Sequence, residues 1–156
     1  MDNIDKKILD LLQRDANLST ADIAQAVGLS TTPCWRRIHK LESEGVITHR
    51  VALLNRHKLN LSIDVFVAVK TNQHNWEWLA QFSETVSEFP EVVEFYRMAG
   101  ESDYLLRVVV PDIPAFDKFY KKLVQTADLS DVSSSFAMEQ IKYTTSLPLD
   151  YVITAK

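Results

Sequence analysis

An α+β fold in two parts is predicted for this 156-residue chain, and three observations predict it. Residues 18–45 read as two short helices about a Gly28-Leu29 turn. From residue 62 onward, strand-like and helix-like apolar patterns follow one another in the order β-α-β-β-α-β. Charge divides along the same line: residues 1–58 hold nine Lys/Arg and seven Asp/Glu (+2), and residues 59–156 hold eight and fourteen (−6), which sum to the chain's −4. The first pattern is that of a winged helix-turn-helix, the second that of a split βαβ, ferredoxin-like domain. The division expected is 1–54, a linker over 55–61, and 62–156.

The helices come first. Ile4, Ile8, Leu11 and Leu12 form an i, i+4, i+7, i+8 stripe, the mark of a helix packed behind the pair. Ser19 stands at an N-cap position with Asp22 three residues on, and Ile23, Ala24 and Val27 give the second helix its apolar side. Ser30 is expected to cap the third helix, Pro33 falls in its first turn where a missing N–H costs nothing, and Gly45 is its stop. At 100° per residue, Cys34, Ile38 and Leu41 lie within about 60° of one another and make a buried stripe. Thr32, Arg36, His39 and Ser43 point the other way, with Trp35 and Lys40 on the flanks.

Periodicity alone also fits a solvated amphipathic helix. The turn, the caps and the basic outer face favour a helix that enters the major groove of double-stranded DNA. Between Ser30 and Lys58 there are six Lys/Arg against two Glu, with three of the four histidines. The expected DNA contacts on the helix are Ser30, Thr31, Thr32, Trp35, Arg36, Arg37, His39 and Lys40. Beyond Gly45, Val46-Ile47 and Val51 to Leu54 are short β-rich runs around His49-Arg50, which suggests a small wing with Arg50 near the phosphates. The polar, basic NRHKLN at 55–60 reads as a linker.

In the second part, Ile63 to Thr71 is a strand apolar on both faces, Val65, Val67 and Val69 on one and Phe66 and Ala68 on the other. Leu79, Phe82, Val86 and Phe89 stripe a helix that Pro90 closes. Val92 to Met98 and Tyr104 to Val110 are strands about a turn at 99–103, and Phe116, Phe119, Tyr120 and Leu123 mark a second helix. Ser133 to Tyr143 is the expected last strand. Helices cover one face of such a sheet, so the doubly apolar first strand needs another cover, most economically a second copy. Trp76 and Trp78 cannot both be deeply buried at the start of one helix, so one belongs at an edge.

Composition narrows the function class. At 46% hydrophobic residues the chain can build real cores, and no apolar run approaches 18 residues, so neither a membrane span nor a signal peptide is expected. A single cysteine forbids an internal disulfide and fits a reducing cytoplasm; Cys34 falls on the apolar stripe as a core residue. No paired catalytic constellation, Gly-rich phosphate loop or H-E-x-x-H motif is present, and Cys34 and His39 lie about 140° apart on their helix, poor geometry for a shared metal. No catalytic residue, metal site or cofactor is expected.

The segments IDKKILDLLQRDANLS, LSTTPCWRRIHKLESEGVI and GESDYLLRVVVPD, running nearly end to end, resemble the Lrp/AsnC family of feast/famine transcription regulators of bacteria and archaea. TTPCW and the closing SSFAMEQIKYTTSLPL further resemble a subset that includes regulators of cysteine detoxification. The resemblance implies a winged helix-turn-helix joined to an amino-acid-sensing domain, homodimers paired through their sheets, and assembly to tetramers or octamers. It also implies an amino-acid effector beside the turn formed by Met98, Ala99, Gly100, Glu101, Asp103 and Tyr104, with Gly100 and Asp103 matching a G-x-x-D pattern. There Asp103 offers an acceptor for the ammonium and backbone N–H groups around Gly100 offer donors for the carboxylate. Ser133, Ser134 and Ser135 are positioned to complete a polar shell from a neighbouring subunit. Leucine, methionine and cysteine all fit as effectors.

Many members carry glycine where this chain has Asn60, so a different linker backbone is expected, and Gly45 and Gly100 each stand at a required turn. Read from its residues alone, the 98–104 turn is a plain hairpin with a solvated Asp, and it is the resemblance that favours an effector site there. An architectural DNA-organising protein without an effector would use the same DNA face. An enzyme on a ferredoxin-like fold is the third alternative, which fold by itself does not exclude.

Overall fold

The computed structural model describes residues 1–153. They divide into two units, one of Met1–Leu53 with the segment that begins at Lys142, the other of Leu54–Ile141.

The first unit is built on α1 (Asn3–Arg14), α2 (Thr20–Val27) and α3 (Thr31–Ser43). Asp2 caps α1: one carboxylate oxygen accepts from the Ile4 and Asp5 N–H groups at 2.9 Å each, and Asp5 accepts from the Asp2 N–H at 2.8 Å. Ser19 caps α2 by accepting from the Asp22 N–H at 3.1 Å. The expected stripes meet as one core of Ile8, Leu12, Ile23, Ala24, Cys34, Ile38 and Leu41. Gly28 (φ +74°) and Gly45 (φ +71°) take the left-handed backbone that ends α2 and α3. After α3, Val46 donates to the Leu41 carbonyl at 2.9 Å and Gly45 to that of Glu42 at 3.0 Å, the paired bonds of a Schellman motif.

Two local expectations for this unit are corrected. Ser30 heads α3, but its hydroxyl makes no capping bond. Residues 46–55 form no strand. Ile47 also donates to the Leu41 carbonyl, at 3.1 Å, which folds the segment over the end of α3, while Val51, Leu53 and Leu54 stay exposed. A β-rich run becomes a strand only with a partner, and this one has none.

The second unit is a four-stranded antiparallel sheet ordered β2-β3-β1-β4. Its strands are β1 (Ile63–Lys70), β2 (Val92–Arg97), β3 (Tyr104–Val110) and β4 (Asp131–Phe136); α4 (Trp76–Ser87) and α5 (Ile113–Thr126) cover one face. Val65, Val67 and Val69 alternate inward opposite Val108, Leu106 and Tyr104, and meet Phe82, Val86, Phe116, Phe119 and Leu123. Trp78 stacks on Phe82 at 4.8 Å while Trp76 is exposed at the edge.

The other face carries Phe66, Ala68, Leu105, Val109 and Tyr96, with Phe66 40% and Tyr96 50% exposed. It also carries charge that the alternation did not foretell. Asp64, 3% exposed, accepts from Arg56 and, at 3.1 Å, from Arg107, whose guanidinium also reaches Glu94 at 2.7 Å.

Further expectations change here. The last strand is Asp131–Phe136, not Ser133 to Tyr143, because its only partner runs out: Ala137 donates to the Asp64 carbonyl at 3.0 Å, at the start of β1. The chain then leaves this unit, and from Lys142 it packs with the first, whereas the sequence reading carried it with the second to residue 156. Gln13 holds it there, donating to the Leu147 carbonyl at 3.1 Å and accepting from the Leu147 N–H at 3.0 Å. The linker is not featureless, since Arg56–Leu59 form a 3₁₀ turn with Asn55 accepting from the His57 N–H. Asn60 takes a left-handed φ of +59°, a conformation that asparagine tolerates and that glycine adopts freely, so the linker ends in a backbone open to either residue. Gly100 has an ordinary φ and open space around its Cα, so its turn does not require glycine.

Candidate DNA face and ligand turn

The outer side of α3 presents Thr31, Thr32, Trp35, Arg36, His39, Lys40 and Ser43, all exposed. The buried stripe on the opposite side fixes this orientation. Trp35 and His39, one turn apart, stack with ring centres 5.2 Å apart and planes 7° from parallel. Lys40 lies 3.7 Å from Glu44. Arg36 has no carboxylate within ion-pair reach among the described residues. Burial pushes the Cys34 thiol up, as befits a core residue.

Two of the expected DNA contacts are engaged elsewhere. Arg37 turns back to α1 and donates to Asp2 and Asp5 at 2.7 Å each. Its angle carried the signal: it lies 60° from Cys34, at the edge of the buried stripe and away from the outer face. Arg50 donates to Glu42 at 2.9 Å, tying the segment after α3 to that helix.

In the second unit, Met98, Ala99, Gly100 and Glu101 form an exposed turn between β2 and β3. Asp103 anchors it. Its N–H donates to the Val69 carbonyl at 3.0 Å, its carbonyl accepts from the Met98 N–H at 2.8 Å, and one carboxylate oxygen accepts from the Thr71 N–H at 2.8 Å. Glu101 lies 3.2 Å from the Lys70 ammonium. Tyr104 is withdrawn from the turn: it is 5% exposed within the Trp78, Phe82 and Phe95 cluster, and burial pushes its phenol up.

The three serines do not share one face of the sheet. A strand alternates its side chains, so Ser133 and Ser135 share the open face with Ala68 and Phe66. Ser134 opposes Val67 on the helix side, and its hydroxyl is buried without a partner among the described residues. β4 is separated from β3 by β1, roughly 10 Å across the sheet, so within one protomer the serines lie away from the turn. Sequence reading missed Thr71, buried at the end of β1, and the Arg56–Asp64–Arg107 chain; its signal was a lone Asp in an apolar strand.

Among the described residues no cluster of three metal-ligating side chains occurs, and no helix is long and apolar enough to cross a membrane.

Comparison with known proteins gives these features a family. Residues 1–48 match the winged helix-turn-helix DNA-binding profile and residues 64–147 that of the Lrp/AsnC ligand binding domain. The chain is 54% identical over 151 residues to the DNA-binding transcriptional activator DecR of Escherichia coli K12, covering 96% of this chain and 99% of that one. It is 50% identical to the glutamate uptake regulatory protein of Zymomonas mobilis, covering 96% and 91%. An AsnC family transcriptional regulator from Agrobacterium tumefaciens superposes with a TM-score of 0.96 at 63% identity, covering 98% of this chain and 100% of that one. A transcriptional regulator of Neisseria meningitidis, solved as a complex with L-methionine, superposes at 0.93 with 34% identity, covering 98% and 99%. The chain belongs to the Lrp/AsnC family of transcriptional regulators, with a DNA-binding helix-turn-helix unit and the family's ligand-binding domain.

Proposed function

We propose that this regulator binds double-stranded DNA through the outer face of α3 and that a small amino acid, bound at the turn between β2 and β3, tunes that binding by changing how subunits assemble. The observation that carries the reading is the Arg36 guanidinium, held outward with Thr32, Trp35, His39 and Lys40 on an exposed face, with no carboxylate within ion-pair reach among the described residues. Ser30 and Thr31 add hydroxyls at the helix start, where phosphates are favoured. Arg37 and Arg50 are positioning residues in this reading, because each pairs with a carboxylate within the unit.

The effector part is supported by the exposed Met98–Glu101 backbone and by the Asp103 oxygen not used by Thr71. The L-methionine complex of the Neisseria relative makes an amino acid the class to try first. Subunit pairing is proposed through the open sheet face of Phe66, Ala68, Leu105 and Val109, with further assembly to tetramers or octamers. A cytoplasmic, non-enzymatic role is part of this reading, supported by its relatives being transcriptional regulators.

The test uses the full chain: duplexes selected from a random library, affinity with and without each common amino acid, and light scattering of the same samples. Selection of a defined duplex together with a ligand that shifts both affinity and mass supports the proposal. Sequence-indifferent binding that no amino acid alters supports the architectural alternative.

A further inference from the structure

Trp35 is the single large apolar group on an otherwise polar DNA face, 54% exposed with no core to pack against. An exposed indole costs hydration free energy unless something apolar covers it. Its neighbour His39 covers one side only. The two rings lie 7° from parallel at 5.2 Å, the arrangement that residues one helical turn apart permit. His39 is itself held on its far side by no hydrogen bond, since the Glu42 carboxylate is 3.9 Å from Nδ1. The stack therefore places an aromatic platform with Trp35 in the second turn of α3, within the N-terminal part of a recognition helix that reaches base edges, and His39 one turn further on.

What such a platform can read follows from its chemistry. Indole has one N–H donor and no acceptor, so it cannot match the two-point donor and acceptor patterns of guanine or adenine. The apolar group that a base offers in the major groove is the C5-methyl of thymine. We propose that Trp35, positioned by His39, reads a thymine methyl group in each half-site, an inference that rests on α3 being the DNA-contacting helix. Trp35 makes the contact, and His39 acts through it.

The full-length protein and a duplex selected from a random library provide the test. Each thymine is replaced in turn by deoxyuridine, which removes the methyl group and leaves the pairing edge intact. At one thymine per half-site the wild type should bind the uridine duplex about three- to fivefold more weakly, the loss expected for one buried methyl group. Trp35→Ala should bind both duplexes equally, and Trp35→Phe should keep part of the discrimination. His39→Ala should reduce the discrimination and His39→Phe restore it, a rescue that a His–phosphate contact would not show. Thermal melting of each variant confirms the fold, which an exposed side chain should leave intact. A wild type indifferent to every thymine methyl, or an undiminished uridine penalty in folded Trp35→Ala, overturns the inference while leaving DNA binding by α3 standing. Failure of the full chain to select any duplex overturns both.

Discussion

The guanidinium of Arg37 on α3 donates to the Asp2 carboxylate at 2.7 Å, and through the same nitrogen to Asp5 at 2.7 Å, so the residues that cap α1 also hold the recognition helix. Only 32% of the Arg37 side chain and 14% of the Asp5 side chain remain exposed, which sets this triad above an ordinary surface pair. Arg37→Gln should therefore lower stability by about 1–2 kcal/mol. It should leave the salt dependence of DNA binding unchanged, because no phosphate contact is lost. A salt slope reduced by a full unit would place Arg37 on the phosphates instead.

The same triad has a pH signature. The Asp5 backbone N–H and then the Arg37 guanidinium hold the Asp2 carboxyl down to about 2 from its ordinary 3.8. A depressed carboxyl stabilises the fold fully above its unfolded pKa, and the contribution fades as pH falls through the folded value. Asp2→Asn keeps a capping side chain but loses the charge. The difference in Tm between wild type and Asp2→Asn should be constant above about pH 5 and should shrink towards pH 2. A difference that persists unchanged at pH 2 would assign the effect to capping geometry alone.

Arg36 and Lys40 should separate sequence reading from phosphate binding. Arg36→Ala should cost on the order of 1–3 kcal/mol on a selected duplex and much less on random DNA. Lys40→Ala should weaken both alike and lower the salt slope by about one unit. Equal losses on the two duplexes for Arg36→Ala would make it a phosphate contact.

Asp103 has two duties that one substitution can separate. Asp103→Asn keeps an acceptor for the Thr71 N–H but loses the charge an ammonium would pair with, whereas Asp103→Ala loses both. Asp103→Ala should destabilise by about 1 kcal/mol relative to Asp103→Asn. Both should abolish the amino-acid response while leaving ligand-free DNA affinity within about twofold, or roughly 0.4 kcal/mol. Calorimetry showing unchanged effector affinity in Asp103→Asn would move the site elsewhere.

The paired bonds from Gln13 to Leu147 should govern how tightly the returning segment is held. Gln13→Ala removes both, worth about 1 kcal/mol, and trypsin should cut after Lys142 on the order of fivefold faster. Equal cleavage rates would show that other contacts hold the segment.

What the sequence by itself determined lies where local physics is sufficient. The stripes of α1 and α3, the stops at Gly28 and Gly45, and the inward alternation of Val65, Val67 and Val69 each depend on spacing within one element. The outer set of Thr32, Arg36 and His39 followed from the same angles. Tertiary structure decided whatever depended on a partner distant in sequence. The helical angle set Arg37 apart from Arg36, but its partners Asp2 and Asp5, more than thirty residues earlier, were brought beside it only by the packed chain. Val46-Ile47, Val51 to Leu54 and residues 137–143 read as strand-forming in sequence and find no ladder, because a strand exists only through pairing. Ser134 parted from Ser133 and Ser135 once the register with β1 assigned each a face. Spacing along the chain specifies which way a side chain points, and only the packed chain specifies what it meets.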